Sequence, residues 1–509
     1  MGDGRETTTG SKGGHANSID MLHGPLLGKI VAFSIPLALA SILQQLFNST
    51  DAMFAGQFVG STALAAIGGV MPVISLLIGL FLGLSMGSNV TIAMRVGRGD
   101  ERAVRSAVHT SFSVALICSV ALTIVGLLVT EPILDAMAIP GDARAEAGQY
   151  LRIYFGGIAF FQIYDFSAAI LRSKGDTRRP LYALAVAAVA NAALDYVAVA
   201  AGAGVVGIAL GTVAANGIAG GMLFWFLLHE EGAYRLDLRE LALEPAAVKN
   251  ILHIGLPSGV QGMIFSFSNV IIQSEVNGFG TAGIAGSAAA TNYEYYSYFF
   301  INAFAQAAVT FVGQNFAAGK LERCDAIMRR CVAGGVVVSA AFCFLVILFS
   351  NYTLGIFTHD PAALGFAHRR LWCVLAFDFM IASYEVTASG MRGMGWAVLP
   401  TIVTVFGTCV LRLVYVLGLF PLVGSFEMLL AVYPISWLIT GSAMIALFFW
   451  VRKQAFATAR PRSGHLMRRE RGGTVYTDPS RSSECPTERS MLKTATALPR
   501  RRARSPAQR

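Results

Sequence analysis

The sequence has little charge and no motif for binding a nucleotide. Only 14% of its 509 residues are charged and 55% are hydrophobic, whereas soluble domains are about 25% charged. The mean hydropathy is +0.59. The chain contains no P-loop, no HExxH motif and no dinucleotide-binding fingerprint. These absences argue against a water-soluble fold and against enzymes that use nucleotides or zinc.

Cysteine is scarce in the sequence and shows no pairing pattern. The seven cysteines include no CxxC pair, and most of them lie in or beside apolar stretches. This distribution argues against a disulfide framework and against a thiolate metal site. The polar segment from Met1 to Lys29 lacks an apolar core with a cleavage pattern, so we expect no cleaved signal peptide. We expect no cofactor and no bound metal.

Long apolar runs fill most of the chain. A membrane-spanning helix needs about 18 or more predominantly apolar residues. Stretches of that kind lie near residues 30–56, 66–94, 107–130, 150–171, 181–202, 205–228, 251–275, 283–313, 332–350, 371–391, 398–421 and 429–451. The sequence therefore predicts an all-α membrane protein with twelve transmembrane helices.

Positive charge alternates between successive connections. Connections rich in Lys and Arg, to which we assign Arg172 and Arg392, alternate with connections that hold few basic residues. Because membrane proteins keep Lys and Arg on the cytoplasmic side, we expect a plasma (cell inner) membrane protein with both termini in the cytoplasm. From Arg452 onward the tail holds 15 basic and 4 acidic residues. We expect this tail to be disordered and to contact anionic lipid headgroups rather than nucleic acid.

The second half of the chain repeats the first at a distance of about 220 residues. Pro36 falls opposite Pro257 within one residue, and the stretch 164–180 lies over 384–400 with a Tyr, an acid, an Arg and a Gly in register. Each half holds an even number of spans, so we expect two six-helix lobes related by a pseudo-twofold axis along the membrane normal. The predicted organisation is a polar N-terminal segment 1–28, an N-lobe 29–229, a cytoplasmic linker 230–249, a C-lobe 250–452 and a basic tail 453–509.

Several acidic residues lie within the predicted spans. A charged side chain at the bilayer centre costs about 2.5–3.5 kcal/mol on insertion scales, so each one requires a reason. Asp51 lies in the first span and Asp195 in the fifth, where Asn191 precedes Asp195 by one helical turn and can donate to its carboxylate. We expect these three residues to bind a coupling ion. Further cavity candidates are Asp165, Asp378 and Glu385.

The predicted buried charges are mainly acidic, and Arg412 is the main basic exception. A cavity lined in this way favours cations and opposes anions. A carboxyl group in such a cavity can load and release a proton within one transport cycle. The alternative is that each acid is only hydrogen-bonded to a neighbouring helix and has a structural role.

Proline and glycine mark two features of the first two spans. Pro36 removes a backbone hydrogen bond and permits either a switchable bend or a static kink in the first helix. Gly79, Gly83 and Gly87 recur every four residues on the second helix. Such a stripe of small residues predicts a surface for close helix packing.

Several segments together resemble the multidrug and toxic compound extrusion (MATE) transporters, in particular the prokaryotic branch related to the DNA-damage-inducible type. They are "IPLALASILQQLFNSTDAMFAG", "ALAAIG", "VGRGDERAV", "FVGQNFAAGKLERC", "LRSKGDTRRP", "MRGMGWAVLP" and "NAALDY". The resemblance implies two lobes that form a V and open alternately to the two sides of the membrane. It implies Asp51 as the ion-coupling acid and Pro36 as the bend residue. The further positions that it implies for the N-lobe cavity are Gln44, Tyr150, Asn191, Asp195 and Thr212.

The resemblance also bears on the coupling ion. Sodium-coupled relatives carry an acid in the seventh helix, whereas residues 263–269 are neutral here. This favours an N-lobe mechanism and protons over sodium ions. The expected function is a secondary antiporter, not an enzyme, that works as a monomer in the lipid bilayer. It would export small cationic organic compounds in exchange for protons or sodium ions.

Two alternatives stay open. One is a flippase of lipid-linked saccharide, which would need basic residues in its cavity to hold a pyrophosphate. The other is a membrane receptor or scaffold that acts through its basic tail.

Overall fold

The computed structural model describes residues 18–137 and 141–459, and these are almost entirely helical. Twelve long helices follow one another in the described residues. They are α1 Leu26–Val59, α2 Ser61–Gly97, α3 Glu101–Ala136, α4 Gly141–Lys174, α5 Arg178–Ala200, α6 Gly204–Leu228, α7 Pro245–Asn277, α8 Gly280–Ala317, α9 Leu321–Leu348, α10 Pro361–Gly393, α11 Val398–Val423 and α12 Phe426–Ala459. The predicted all-α membrane fold is confirmed. The predicted tail lies outside the described residues, except for its first few positions in α12.

Ten helices of the described chain are long and apolar enough to cross a membrane by composition alone. The other two long helices, α7 and α8, have 33 and 38 residues but carry more polar side chains. About 20 residues suffice to span a bilayer, so both are long enough. Their polar side chains are accommodated inside the protein: in α8, Thr310, Gln314 and Asn315 are all buried. A helix enclosed by other helices can span a membrane without a uniformly apolar sequence.

The helices form two bundles, one built from α1 to α6 and the other from α7 to α12. These are the two predicted lobes. Between them the chain forms two short 3-10 turns, Gly232–Tyr234 and Leu238–Glu240, before α7 begins at Pro245. The helix therefore starts inside the stretch 230–249 that we expected to be a linker, and the exact lobe boundaries stay a prediction.

The lobes meet closely where α2 packs against α7. A Cβ atom on Gly83 would overlap the backbone of Gly259, and one on Gly87 would overlap the carbonyl oxygen of Ile251. Only glycine permits this approach of the two backbones. The small-residue stripe of α2 is confirmed as a packing surface, and that surface joins the two lobes.

Buried ion pairs hold the start of the linker to the N-lobe. Lys174 Nζ and Arg179 Nη1 each lie 2.5 Å from a different oxygen of Glu230, whose side chain is only 1% exposed. Burial opposes ionisation of this carboxyl group, but the hydrogen bonds and charges of Lys174 and Arg179 outweigh burial and lower the pKa of Glu230. Farther along, Arg95 binds both carboxylate oxygens of Glu244, at 2.5 and 2.9 Å. The linker is thus attached by charge to α2, α4 and α5.

The residues before α1 join the lobes on the same side of the protein. The backbone N–H of Ile19 donates to Gly175 O at 3.3 Å, next to the end of α4. From the other lobe, Asn315 Nδ2 donates to Met21 O at 3.1 Å, and the guanidinium of Arg323 donates to the same carbonyl at 3.2 Å. Segment 19–24 therefore bridges the N-lobe and the C-lobe.

Candidate functional site

Asp51 lies near the end of α1, just before the π-helical turn Ala55–Val59. Its side chain is 1% exposed. Thr212 on α6 donates a hydrogen bond of 2.7 Å from Oγ1 to Asp51 Oδ2. Among the residues that the structure describes, Asp51 Oδ1 has no hydrogen-bond partner. One carboxylate oxygen is therefore held by α6, while the other is buried without a hydrogen bond of regular geometry in the described chain.

Asp195 and Asn191 lie beside Asp51 and come from α5. Both are fully buried, at 0% exposure. Each side chain is a direct neighbour of the Asp51 carboxyl group. Within residues 18–137 and 141–459, neither Asp195 oxygen and neither polar atom of the Asn191 amide has a hydrogen bond of regular geometry. The structure thus brings together the three residues predicted to bind the ion, and their role stays a prediction.

Gly211 makes room for the Asp195 carboxyl group. A Cβ atom at this position would lie 2.8 Å from Asp195 Oδ1, which is closer than Cβ atoms in proteins approach another atom. The sequence prediction missed this residue. In the sequence, Gly211 is marked only by its position directly before Thr212. It cannot be distinguished there from the other small residues of this apolar helix.

In the described part of the chain, no basic side chain accompanies the two carboxyl groups. The side chains that act on them in the described part of the chain are Thr212, Asn191 and the carboxyl groups themselves, with no Lys, Arg or His among them. Two adjacent carboxylates are unstable in a low-dielectric interior, because both burial and mutual repulsion oppose their charge. One proton or one small monovalent cation between them would offset this repulsion.

A small pocket, which we call the N-lobe pocket, opens beside Asp51. Its volume is about 60 Å³, enough for an ion or a few waters but too small for a drug-sized molecule. Its polar lining residues are Gln44, Asp51, Ser75, Tyr150, Tyr154, Thr212 and Asn216. Gln44, Tyr150 and Thr212 thus line the pocket with Asp51, whereas Asn191 and Asp195 are not among its lining residues. The cavity roles that the resemblance implies for all five stay a prediction.

A larger cavity, which we call the central cavity, lies between the two lobes. Its volume is about 260 Å³, and its walls come from both bundles. Gln44 lines this cavity as well as the N-lobe pocket, so one amide side chain borders both spaces. Of the further cavity candidates, Asp165 and Glu385 line the central cavity.

The central cavity is not only acidic. Arg172 and Arg392 also line it, whereas we had assigned both to cytoplasmic connections. Arg172 lies in α4, and Arg392 lies in the last turn of α10 and is only 1% exposed. The expectation of a mainly acidic cavity that opposes anions is wrong for this space, where two arginines accompany two acids. A basic residue close to a helix end looks like a loop charge in the sequence, which explains the error.

Asp378 and Arg412 lie elsewhere, inside the C-lobe. Asp378 is in the 3-10 segment Leu375–Met380 of α10, next to Ser297 and within electrostatic reach of Arg412. It lines neither the N-lobe pocket nor the central cavity. Arg412 Nε donates to Ser436 Oγ at 2.9 Å. The residues predicted as one set of cavity acids are thus divided between two places.

Pro36 lies within a continuous α1 and is buried. Proline has no N–H, so the carbonyl of Ala32 one turn earlier lacks its helical partner. Next to it, Ser34 Oγ donates to Ala303 O of the C-lobe at 3.4 Å. Pro36 therefore lies where α1 contacts the other lobe, and its action as a hinge stays a prediction.

Comparison with known sequences places these features in a family. The MatE family model matches residues 36–197 and again residues 257–417. The two matches begin at Pro36 and Pro257, about 220 residues apart, as the internal repeat predicts. The chain is 25% identical over 382 residues to a probable multidrug resistance protein, YoeA, of Bacillus subtilis, covering 74% of this chain and 82% of that one. It is 26% identical over 397 residues to a probable multidrug resistance protein, NorM, of Thermotoga maritima, covering 76% and 84%.

Solved structures show the same fold. A transporter of the MOP superfamily from Pyrococcus furiosus, described as having reverse polarity of its binding pocket, superposes with a TM-score of 0.79 at 23% identity, over 87% of this chain and 98% of that one. An outward-facing multidrug resistance transporter of the MATE family superposes with a TM-score of 0.78 at 24% identity, over 86% and 97%.

Proposed function

Because the chain belongs to the MatE family of multidrug efflux transporters, we propose that it is a secondary antiporter that exports small organic compounds bearing positive charge in exchange for protons or sodium ions. Such a protein needs a site for the ion, a site for the solute and a coupling between the two. We assign the ion site to the N-lobe pocket and the solute site to the central cavity.

The observation that supports this proposal most directly is the pair of adjacent buried carboxyl groups, Asp51 and Asp195, without a basic partner in the described chain. Burying such a pair is unfavourable unless a cation or a proton accompanies it. A purely structural pair would be expected to have its oxygens bonded to neighbouring helices. Three of these four oxygens have no hydrogen bond of regular geometry among the described residues, although the two carboxyl groups and the Asn191 amide interact with one another. A site that loads and unloads an ion explains why these oxygens are left without fixed partners.

The coupling is proposed to pass through Gln44. Its amide borders both the N-lobe pocket and the central cavity, so its orientation can respond to the occupancy of either. With an ion at Asp51, the amide is free to bind the solute. Without the ion, it can donate to the unpaired Asp51 oxygen and leave the cavity. Ion and solute would then alternate rather than bind together.

The membrane context of the proposal is a multi-pass protein of the plasma membrane with both termini in the cytoplasm. Basic side chains such as Lys174, Arg179 and Arg323 gather on the side where segment 19–24 and the linker lie. Because positive charge stays in the cytoplasm, that side is assigned to the cytoplasm. We propose that the chain acts as a monomer.

Export of a lipid-linked saccharide is the second candidate, because Arg172 and Arg392 supply the basic cavity residues that such a flippase would need. Asp165 and Glu385 line the same space and would repel a pyrophosphate. Because the acids equal the bases in number, the cavity offers no net positive charge to a pyrophosphate, and this favours the antiporter.

The experiment is dye movement in liposomes that contain the purified protein. Ethidium transport is followed under an imposed pH gradient or an imposed sodium gradient, for the wild type and for Asp51→Asn. We expect one gradient to drive transport in the wild type and neither to drive it in the variant. Each pH unit supplies about 1.4 kcal/mol to a one-for-one exchange. Two protons per monovalent cation would add the membrane potential, about 2.3 kcal/mol per 100 mV. Gradient-driven transport that persists in Asp51→Asn would refute the assignment.

A further inference from the structure

The charged residues of the central cavity form two matching sets, one from each lobe. The N-lobe contributes Asp165 and Arg172 on α4, and the C-lobe contributes Glu385 and Arg392 on α10. In both sets the arginine follows the acid by seven residues, which is two turns of one helix face. The internal repeat therefore places two acids and two bases around one space, and their formal charges cancel.

The two arginines are not saturated by protein groups. Arg392 Nη2 donates to Gln261 Oε1 at 2.7 Å, whereas its Nη1 has only long contacts, to Ser389 Oγ at 3.5 Å and to Glu385 Oε1 at 3.7 Å. Its Nε has no partner among the described residues. Arg172 Nε also has no partner in the described part of the chain. A guanidinium stays charged at any physiological pH, so it cannot escape this situation by losing its proton.

Two other buried arginines of this protein have guanidinium groups that are fully paired with a carboxylate. Arg370 binds both oxygens of Glu294, at 2.7 and 2.9 Å, and Arg95 binds both oxygens of Glu244. A planar guanidinium has the geometry for such two-point binding of a carboxylate. The arginines that face the central cavity lack it, although an acid lies on the same helix.

We propose that the central cavity takes solutes that carry a carboxylate as well as a cationic group, with Arg172 and Arg392 binding the carboxylate and Asp165 and Glu385 facing the cationic group. This inference rests on the proposed function and narrows its substrate class to zwitterions. The apolar walls formed by Leu37, Leu82 and Phe265 suit the hydrocarbon part of such a molecule. A purely cationic solute would meet two acids, but it would also lie against two guanidinium groups that repel its charge and that it cannot bind.

The test compares two dyes that differ only at one carboxyl group. Rhodamine B has a free carboxylate on a cationic ring system, and rhodamine B ethyl ester has the same ring system without the negative charge. Transport into liposomes containing the protein is measured for both under the driving gradient. For the wild type we expect a kcat/KM roughly tenfold or more higher for the acid, as for a charge-assisted hydrogen bond.

Substitutions then show which residues distinguish the acid dye from the ester dye. Arg172→Gln and Arg392→Gln should remove the preference for the acid: the KM of the acid should rise because its carboxylate loses a partner, and the KM of the ester should fall because a repelling charge is gone. Asp165→Asn should weaken both dyes, because both carry the cationic ring system. The matched control is Arg235→Gln in an exposed position of the linker, which should change neither dye. Binding of each dye to the purified protein, followed by fluorescence anisotropy, shows whether a variant that does not transport still folds and binds the ester.

The outcomes separate this inference from the proposed function. If neither dye moves under a pH or a sodium gradient, the proposed function itself fails. If the wild type transports the ester as well as the acid, or if the arginine variants lose both dyes equally while still binding the ester, the antiporter stands and the zwitterion assignment is overturned.

Discussion

Thr212 Oγ1 donates a 2.7 Å hydrogen bond to Asp51 Oδ2 and thereby fixes one oxygen of a buried carboxylate that has no basic partner in the described chain. The contact joins α1 to α6 across the N-lobe. It leaves the other Asp51 oxygen facing the Asp195 and Asn191 side chains. The geometry of the proposed ion site therefore depends on a single hydroxyl group.

Replacing Thr212 by Val removes that hydroxyl and keeps the shape of the side chain. Asp51 then loses its one fixed donor, and an unsatisfied buried acceptor costs about 1–3 kcal/mol. We expect transport to fall roughly tenfold. Thr212→Ser keeps the hydroxyl and should retain most activity. Initial rates of dye transport for the three proteins check this, and a Val variant as active as the Ser variant would contradict the role of the hydrogen bond.

Replacing Gly211 by Ala should displace the Asp195 carboxyl group. The added Cβ would lie 2.8 Å from Asp195 Oδ1, so the carboxyl group must move away from its present position. We expect transport to be lost while membrane insertion and yield stay normal. Gly221→Ala on the same helix is the matched control, since a Cβ there meets nothing within 4 Å. Equal activity of the two variants would show that the position of Asp195 does not matter.

Replacing Gly83 by Ala should weaken the contact between the lobes. The new Cβ would overlap the Gly259 backbone, so α2 and α7 must separate. Overpacking of this kind costs about 1–3 kcal/mol. We expect a lower melting temperature of the purified protein, measured by intrinsic fluorescence. Gly68→Ala, also in α2, meets nothing within 4 Å and should leave it unchanged. A melting temperature for Gly83→Ala equal to that of Gly68→Ala would contradict the packing account.

The Glu230 ion pairs predict a dependence of stability on pH. Since the pKa of Glu230 is lowered from 4.5 in the folded protein, its contribution is fully present above the unfolded pKa and is lost as the pH falls through the folded value. Melting temperatures between neutral pH and about pH 3 should therefore fall more steeply in the wild type than in Glu230→Gln. The control is Glu322→Gln, an exposed position in the first turn of α9, which should show the same decline as the wild type. If the melting temperatures of Glu230→Gln and of the wild type fall equally with pH, the ion pairs of Glu230 do not contribute to the stability of the folded protein.

Much of this architecture follows from sequence patterns, and the reason is physical. The cost of placing a carboxylate in a membrane made Asp51 and Asp195 conspicuous, and helical periodicity placed Asn191 on the same face as Asp195. The segments 251–275 and 283–313 were predicted as spans, and the structure has them as the long helices α7 and α8.

The residues that the sequence prediction missed are those whose role depends on contacts between distant helices. Gly211 matters only because Asp195 of the preceding helix lies against it. Arg172 and Arg392 were counted as loop charges because hydropathy cannot tell a helix end from the wall of a cavity. The central cavity itself lies between the two lobes. The pattern of apolar residues within one helix cannot predict such a cavity, because it depends on how the lobes pack.

The most direct measurement of the central claim is the release of the coupling ion when the solute binds. Purified protein in a weakly buffered solution is mixed with a transported dye, and proton release is followed with a pH indicator; bound radioactive sodium is followed in parallel. The account predicts that the wild type releases one of these ions on binding the dye, and that Asp51→Asn together with Asp195→Asn releases none. Dye binding to the wild type without release of either ion would contradict the exchange at Asp51 and Asp195.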